Sequence, residues 1–444
     1  MKYIKKYRNY IFLFLFFFLV LSVFSFYNHS YDSFWNYSFS YAIARGEVPY
    51  VDFNTVSTPF CAFFFSLFLI FSHHYLWYIF GWSLVLTFTF YLLFQVIQHR
   101  SFIVLFALLF PFLHTSIPTY NLFCFCLYIL LLYLEKFHKN HYLIGFVLGI
   151  SVLTKQTIGV FFLLASVIYY VKDFKILGKR IMGFIIPCLL FFIYLLFTNS
   201  FLSFLDLCFF GLFDFSKNTT GFSIYFYLSI ILFLVLCFYV FKKDRSIYAY
   251  YTLATYSFVI PLFDSYHFLL FFCSVFVYLM TKIDIKRKYC YLFLGLSIFL
   301  CFINFYCYRG FSSKRLDFLP NLKYYLVQPE QYEILLDMNR VFLKYYEKDN
   351  VPVLLSTKNS FIYAGNDLDV NYFLVFLHGN YGYNGVEKLI KRVEESSNLY
   401  IINQREMDEI GRNGEFLYEV CEYVIEHFSL VAREGDYLIY EAKD

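Results

Sequence analysis

Set among long apolar runs are a few polar side chains able to do chemistry: Asp32, Arg45 and Asp52 near the start, Tyr120 with Asn121, Lys155 with Gln156, and Asp264 with His267. A positioned carboxylate can take up a proton, which draws attention to Asp32 and Asp52. Lys155 lies in LTKQTIGV between two apolar stretches, where an ammonium is costly unless it reaches water or an anion. Asp264 and His267 share one short polar break, PLFDSYHF. Each group also has a plain role open to it. Asp32 fits an N-cap, Asp52 a solvated turn acid, and Lys155 a side chain snorkelling to the membrane interface. Asp264 and His267 fit a simple pair, Asn121 a structural role at a helix start, and Arg45 a helix-end cation complementing the dipole. Asp206 and Asp214 are given no role, and His73 and His74 read as interfacial filler.

The elements that must hold these groups are apolar helices. Only 15% of the 444 residues are charged, 60% are hydrophobic, and the mean hydropathy is +0.58. So few charges do not clothe a water-soluble chain of this length. A net charge of +4, scattered through short loops, gives no nucleic-acid surface. Of the 11 cysteines only Cys421 falls in the polar C-terminal part, so no disulfide framework is expected, and no metal-type Cys/His spacing occurs. The start, MKYIKKYRNY followed by IFLFLFFFLVLSVF, lacks a small-residue cleavage site and reads as an uncleaved first span.

A bilayer core about 30 Å thick calls for on the order of 20 apolar residues per helix. Spans are expected near 10–27, 76–97, 101–113, 119–134, 142–154, 156–171, 181–197, 222–241, 247–262, 266–281 and 289–307. The basic loops are the N-terminus, Arg100, 135–141, 172–180, 242–245 and 282–288. All of them fall in the cytoplasm if 59–74 is a re-entrant or interfacial helix rather than a crossing. The outer side then receives 28–58, 114–118, the turn at Lys155, 198–221, the turn at Asp264 and everything after 308, and with them or at their edges nearly all the polar residues of chemical interest, His114 included. The cytoplasmic side keeps only anchoring charge. Arg309, Lys314 and Arg315 on the outer side run against that rule.

In the first outer loop, Asp32 precedes a helical pattern over about 33–45, with Phe34, Tyr37, Tyr41 and Ala44 at helical spacing. Gly46 closes it and Pro49 prevents continuation, giving a short amphipathic helix at the outer interface. Asp52 follows in GEVPYVDF.

An acid after the first span, a short interfacial helix and this G-x-V-P-Y-x-D-F phrase resemble GT-C-type glycosyltransferases, a superfamily that includes protein O-mannosyltransferases and lipid A aminoarabinose transferases. PTYNLF at 118–123, LTKQTIGV at 153–160 and PLFDSYHF at 261–268 resemble bacterial members, and the likeness covers roughly the first three hundred residues. Asp32 is followed by Ser33, where many members carry an Asp-Glu pair. The resemblance implies a polytopic α-helical membrane protein, multi-pass in the cell membrane, with a cytoplasmic N-terminus and an extracytoplasmic active site. It implies sugar transfer from a polyprenyl-phosphate donor to a glycan, lipid or protein acceptor of the cell envelope. Asp32 would be the base or acceptor-orienting acid, with Asp52 assisting. Lys155 and Gln156 would meet the donor phosphate, and His267, Asp264, Tyr120, Asn121 and Arg45 the phosphate or the sugar. A divalent cation stays open as a cofactor, although the sparse acids suggest no dedicated cage. Rival readings are an envelope polysaccharide polymerase or ligase, expected to depend on outer arginines, and a lipid-linked glycan flippase or transporter, expected to carry midplane charges or paired repeats.

After 308 charge becomes frequent. Helices are expected at 329–348, 386–396 and about 415–428, with strands at VPVLLST, LYIIN and DYLIYEA, so residues 309–444 form a soluble α/β domain outside the bilayer. GNYGYNG at 379–385 lacks the spacing of a P-loop and reads as a plain loop before a helix.

Overall fold

The computed structural model describes residues 2–26, 31–97, 118–219, 223–260, 262–282, 314–347, 350–370, 374–377, 379–396, 398–413 and 416–442. The spans expected at 101–113 and 289–307, and His114, lie outside them. Two compact units emerge. One joins Met1–Asn36, Thr58–Tyr194 and Thr219–Ser312, and the other joins Tyr37–Ser57, Leu195–Asn218 and Ser313–Asp444. A single cut at 308 does not reproduce this division, because polar contacts tie 37–57 and 195–218 to the C-terminal part.

The first unit is that of a membrane protein. After α1 (Lys2–Phe26), the start of α2 (Tyr31–Ala44), whose part from Tyr37 belongs to the second unit, and α3 (Phe60–Leu69) come α4 (Tyr75–Ile97), α5 (Tyr120–Phe137), α6 (His141–Thr154), α7 (Gln156–Tyr170) and α8 (Phe174–Phe197). Among the described residues, α4, α5, α8, Ile224–Lys243 (α11) and Ser265–Lys282 (α13) are long and apolar enough to cross a bilayer. On α8 and α11 the outward side chains are apolar and exposed, as Met182, Leu190, Ile231 and Leu234 illustrate, which is what a lipid-facing surface requires. The 10-residue α3 rises about 15 Å, half of a bilayer core.

Three expectations need correction. The span at 247–262 is only α12 (Ile247–Ala254) and a 3-10 turn at Thr255–Phe258. The hydroxyls of Thr252, Thr255 and Ser257 bond back to carbonyls of the preceding turn, a habit that bends a helix, and Pro261 follows in the sequence. The stretch 198–221 is not an open loop: α9 (Phe201–Leu205), a π-helical turn Asp206–Phe210 and α10 (Gly211–Thr219) fill it. Finally, α2 begins at Tyr31, so Asp32 falls inside its first turn, and both its apolar Phe34, Tyr37 and Tyr41 and its polar Ser33, Asn36, Ser38 and Ser40 are buried. An amphipathic helix with a wet face is not what forms. Gly46 does close it, at φ +93°.

In the second unit a four-stranded sheet has the order β3 (Val353–Leu355), β4 (Tyr400–Asn403), β6 (Tyr437–Glu441), β5 (Ser429–Glu434), after a small ladder of β1 (Lys314–Arg315) and β2 (Leu326–Val327). The β3–β4 pair is parallel and the others antiparallel. Val353, Leu355, Tyr400 and Ile402 form one core with Leu389 and Val393 of α16 (Gly385–Glu394) and Phe416, Val420 and Val424 of α18 (Phe416–His427). The alternating Leu354, Ile401 and Ile439 are buried too, so both sheet faces are covered. The expected α14 (Pro329–Tyr345) is present, whereas α15 (Asn359–Gly365), α17 (Gln404–Asn413) and β5 come in addition to the expected elements.

Candidate functional site

Residues 138–140 join α5 to α6, a connection so short that the helices run antiparallel, and the end of α6 returns beside the start of α5. There α6 and α7 are separated by one residue, Lys155, whose φ of −150° and ψ of 110° are extended. Thr119 starts α5 by accepting from the Leu122 N–H at 3.4 Å, and Asn140 starts α6 by accepting from Leu143 N–H at 3.2 Å. Asp264 does the same for α13, accepting from the His267 N–H at 2.9 Å.

These helix ends bring four of the candidate residues into one hydrogen-bonded chain. The Lys155 ammonium donates to Asn121 Oδ1 at 2.8 Å, Asn121 Nδ2 lies 3.2 Å from His267 Nε2, and His267 Nδ1 lies 2.8 Å from Asp264 Oδ2. Donor chemistry sets the direction. Lysine and the amide nitrogen can only donate, so Nε2 must accept and Nδ1 must carry the proton given to Asp264. The dipoles therefore align from cation to carboxylate. Asn121 and His267 are buried, while Lys155 and Asp264 are less so. Lys155 also stands 5.5 Å from the centre of the Tyr120 ring, a cation–π contact.

Thr119, Tyr266, Asn36, Thr58 and Gly159, which the sequence reading did not single out, join this part of the fold. The hydroxyls of Thr119 and Tyr266 meet, and Asn36 Oδ1 accepts from the Tyr120 N–H at 3.1 Å. Asp32 occupies the position one turn before Asn36 on the same face of α2; its side chain lies outside the described residues. Gln156 Oε1 accepts from the Thr58 N–H at 3.4 Å, and the Thr58 hydroxyl donates to the Val152 carbonyl at 2.8 Å, next to the helix break. Gln156 is thus seen bracing the segment before α3. Beneath Lys155, a Cβ on Gly159 would lie 2.1 Å from Val152 N, so only glycine lets the hairpin close.

Asp52 and Arg45 belong to the other unit. Exposed Asp52 accepts from the Val48 N–H of its own turn at 2.7 Å, which corresponds to the solvated turn acid. Arg45 Nε donates to Asp369 Oδ1 at 2.7 Å and Nη1 to the Asp367 carbonyl at 2.9 Å, so its guanidinium works as a tie between 37–57 and the C-terminal part. No family model, curated protein or solved structure matches the chain. Among the described residues no group of three or more His, Cys, Asp or Glu is placed to hold a metal ion.

At the far end of the same helices, Arg180 corrects the expectation of mere anchoring charge. Its fully buried guanidinium holds Glu135 at 2.7 and 2.8 Å, donates to Ser166 and Tyr251 at 3.0 Å each, and stacks 4.0 Å from the centre of the Tyr170 ring. Tyr251 OH donates to Glu135 at 3.1 Å, completing the network. In the sequence both charges look like loop residues; Glu135, ahead of a basic loop, was the signal.

Proposed function

We propose that this chain is an integral membrane glycosyltransferase of GT-C type, moving a sugar from a polyprenyl-phosphate donor to an extracytoplasmic acceptor of the cell envelope. The observation that carries the proposal is the convergence of three family-like phrases, 118–123, 153–160 and 261–268, on one directed chain whose members Asn121 and His267 are 146 positions apart. Depth supports it as well. The 14 residues of α6 and 15 of α7 rise about 21 and 22 Å, less than a bilayer core. With the exposed Lys139, Lys172 and Asp173 at one headgroup level, Lys155 sits recessed from the other, where a lipid-borne phosphate can reach it.

In this reading the acceptor oxygen attacks the anomeric carbon with inversion, and its proton passes to the Asp32 carboxylate. The bond from the anomeric carbon to the phosphate oxygen breaks, its electrons leave with the polyprenyl phosphate, and Lys155 offsets the charge that develops there. Asn121, His267 and Asp264 hold Lys155 in place. Arg45 is engaged by Asp367 and Asp369, so the arginine-dependent polymerase reading gains no support from this residue. The test is transfer by purified protein from a panel of polyprenyl-phosphate sugars. Asp32→Asn and Lys155→Met should each lower the rate by about 100-fold or more while the thermal unfolding midpoint is kept. Transfer at the wild-type rate by either variant removes the proposal.

A further inference from the structure

The second unit contains a cleft of about 410 Å³ lined by Asp206, Phe210, Tyr383, Asn384, Glu387 and Lys388. One wall is the π-helical turn Asp206–Phe210, a widened winding that recurs at functional positions. The other is the 379–385 loop and the first turn of α16. The two are fastened together. A Cβ on Gly211 would lie 2.2 Å from the Gly379 carbonyl oxygen, and Asp214 Oδ2 accepts from the Gly379 N–H at 3.1 Å. Asp206 accepts from the Tyr383 N–H at 3.3 Å and from Lys388 Nζ at 2.5 Å. Gly382, at φ +78°, lets the loop fold against that carboxylate, since a Cβ there would meet Asp206 Oδ2 at 2.3 Å.

The lining has the chemistry of a sugar site. Phe210 and Tyr383 are 54% and 55% exposed and offer flat apolar faces. Beside them the Asn384 amide donates to Glu387 Oε2 at 3.2 Å. An anion is disfavoured, because the Asp206 carboxylate already holds both the backbone N–H leading into α16 and the ammonium of Lys388. A pyranose, with an apolar C–H face and a rim of hydroxyls, matches rings bordered by amide and carboxylate. We infer that this cleft is a subsite for a neutral glycan. Its assignment as the acceptor side rests on the transferase reading; the binding itself does not.

Full-length protein in lipid nanodiscs is titrated with neutral hexose and N-acetylhexosamine trisaccharides, followed by saturation-transfer NMR, with inorganic phosphate as the counter-probe. Saturable binding of at least one neutral trisaccharide is expected, weakened about tenfold or more by Tyr383→Ala, kept by Tyr383→Phe, and unaffected by phosphate. No saturable binding by wild type, equal binding by Tyr383→Ala, or displacement by phosphate would overturn the inference. Lys155→Met should bind the trisaccharide like wild type. Glycan binding by a wild-type protein that transfers no sugar would leave this subsite standing and remove only the acceptor assignment.

Discussion

Lys155 is held through Asn121, an uncharged acceptor that also donates to His267, so one amide sets both the position of the cation and the tautomer of the imidazole. Asn121→Ala removes both contacts, and a hydrogen bond to a charged group contributes about 1.5–3 kcal/mol. On the proposed transferase reading, kcat on the polyprenyl-phosphate sugar should fall about tenfold or more with a smaller change in KM, which steady-state kinetics would read. Glu47 makes a separate prediction. Burial lifts its carboxyl from 4.5 to about 8 against the opposing hydrogen bond from Val370 N–H at 2.8 Å, and Oε2 finds no hydrogen-bond partner among the described residues. A folded state that binds the proton more tightly than the unfolded one is favoured below pH 4.5, and that advantage is lost as pH rises through about 8. Glu47→Gln should flatten the fall in unfolding midpoint across this window. A wild-type slope surviving in the variant would show that the carboxyl does not titrate there.

Between helices, glycine decides how the hairpin closes. Gly159→Val drives side-chain carbon into the backbone of α6 at Val152, and overpacking of this kind costs about 1–3 kcal/mol. The unfolding midpoint in detergent should fall, whereas Gly178→Ala, with nothing within 4 Å of the added carbon, should leave it in place. The same helices are clamped at their other end by Arg180 and Glu135. Removing one partner of a buried ion pair strands a charge and costs about 3–5 kcal/mol. Glu135→Leu should therefore destabilise the protein strongly, and adding Arg180→Met should restore much of the loss, an outcome read from the same unfolding curves.

In the assembly of the chain as a whole, distant segments are joined by polar ties of unequal worth. Glu406 is buried and accepts from Ser356 Oγ at 2.6 Å and Thr357 N at 2.9 Å, whereas Asp369, which meets Arg45 at 2.7 Å, is 73% exposed at its side chain. An exposed pair contributes about 0.2–1 kcal/mol, well below a buried carboxylate with several donors. Hydrogen exchange should thus quicken only a few-fold over 37–57 in Asp369→Ala, and by about tenfold or more over 353–358 in Glu406→Ala. Equal effects of the two substitutions would contradict this ranking.

Most apolar helices, and α14, α16, α18, β3, β4 and β6, are legible in the residues because their hydrophobic period is local. The elements that escape that logic are those whose surroundings lie elsewhere. β5 is largely exposed and, among the described residues, pairs only with β6, α17 is polar and starts on the Asn403 cap, and the helical run from 201 to 219 is secured through Asp206 and Asp214 to 379–388. Residue types and their order already single out Tyr120, Asn121, Lys155, Asp264 and His267 as candidates. That Asn121 links Lys155 to His267, that Arg45 faces carboxylates, and that Arg180 is buried on Glu135 follow from contacts between positions far apart in the chain, where direction and distance decide a polar group's partner.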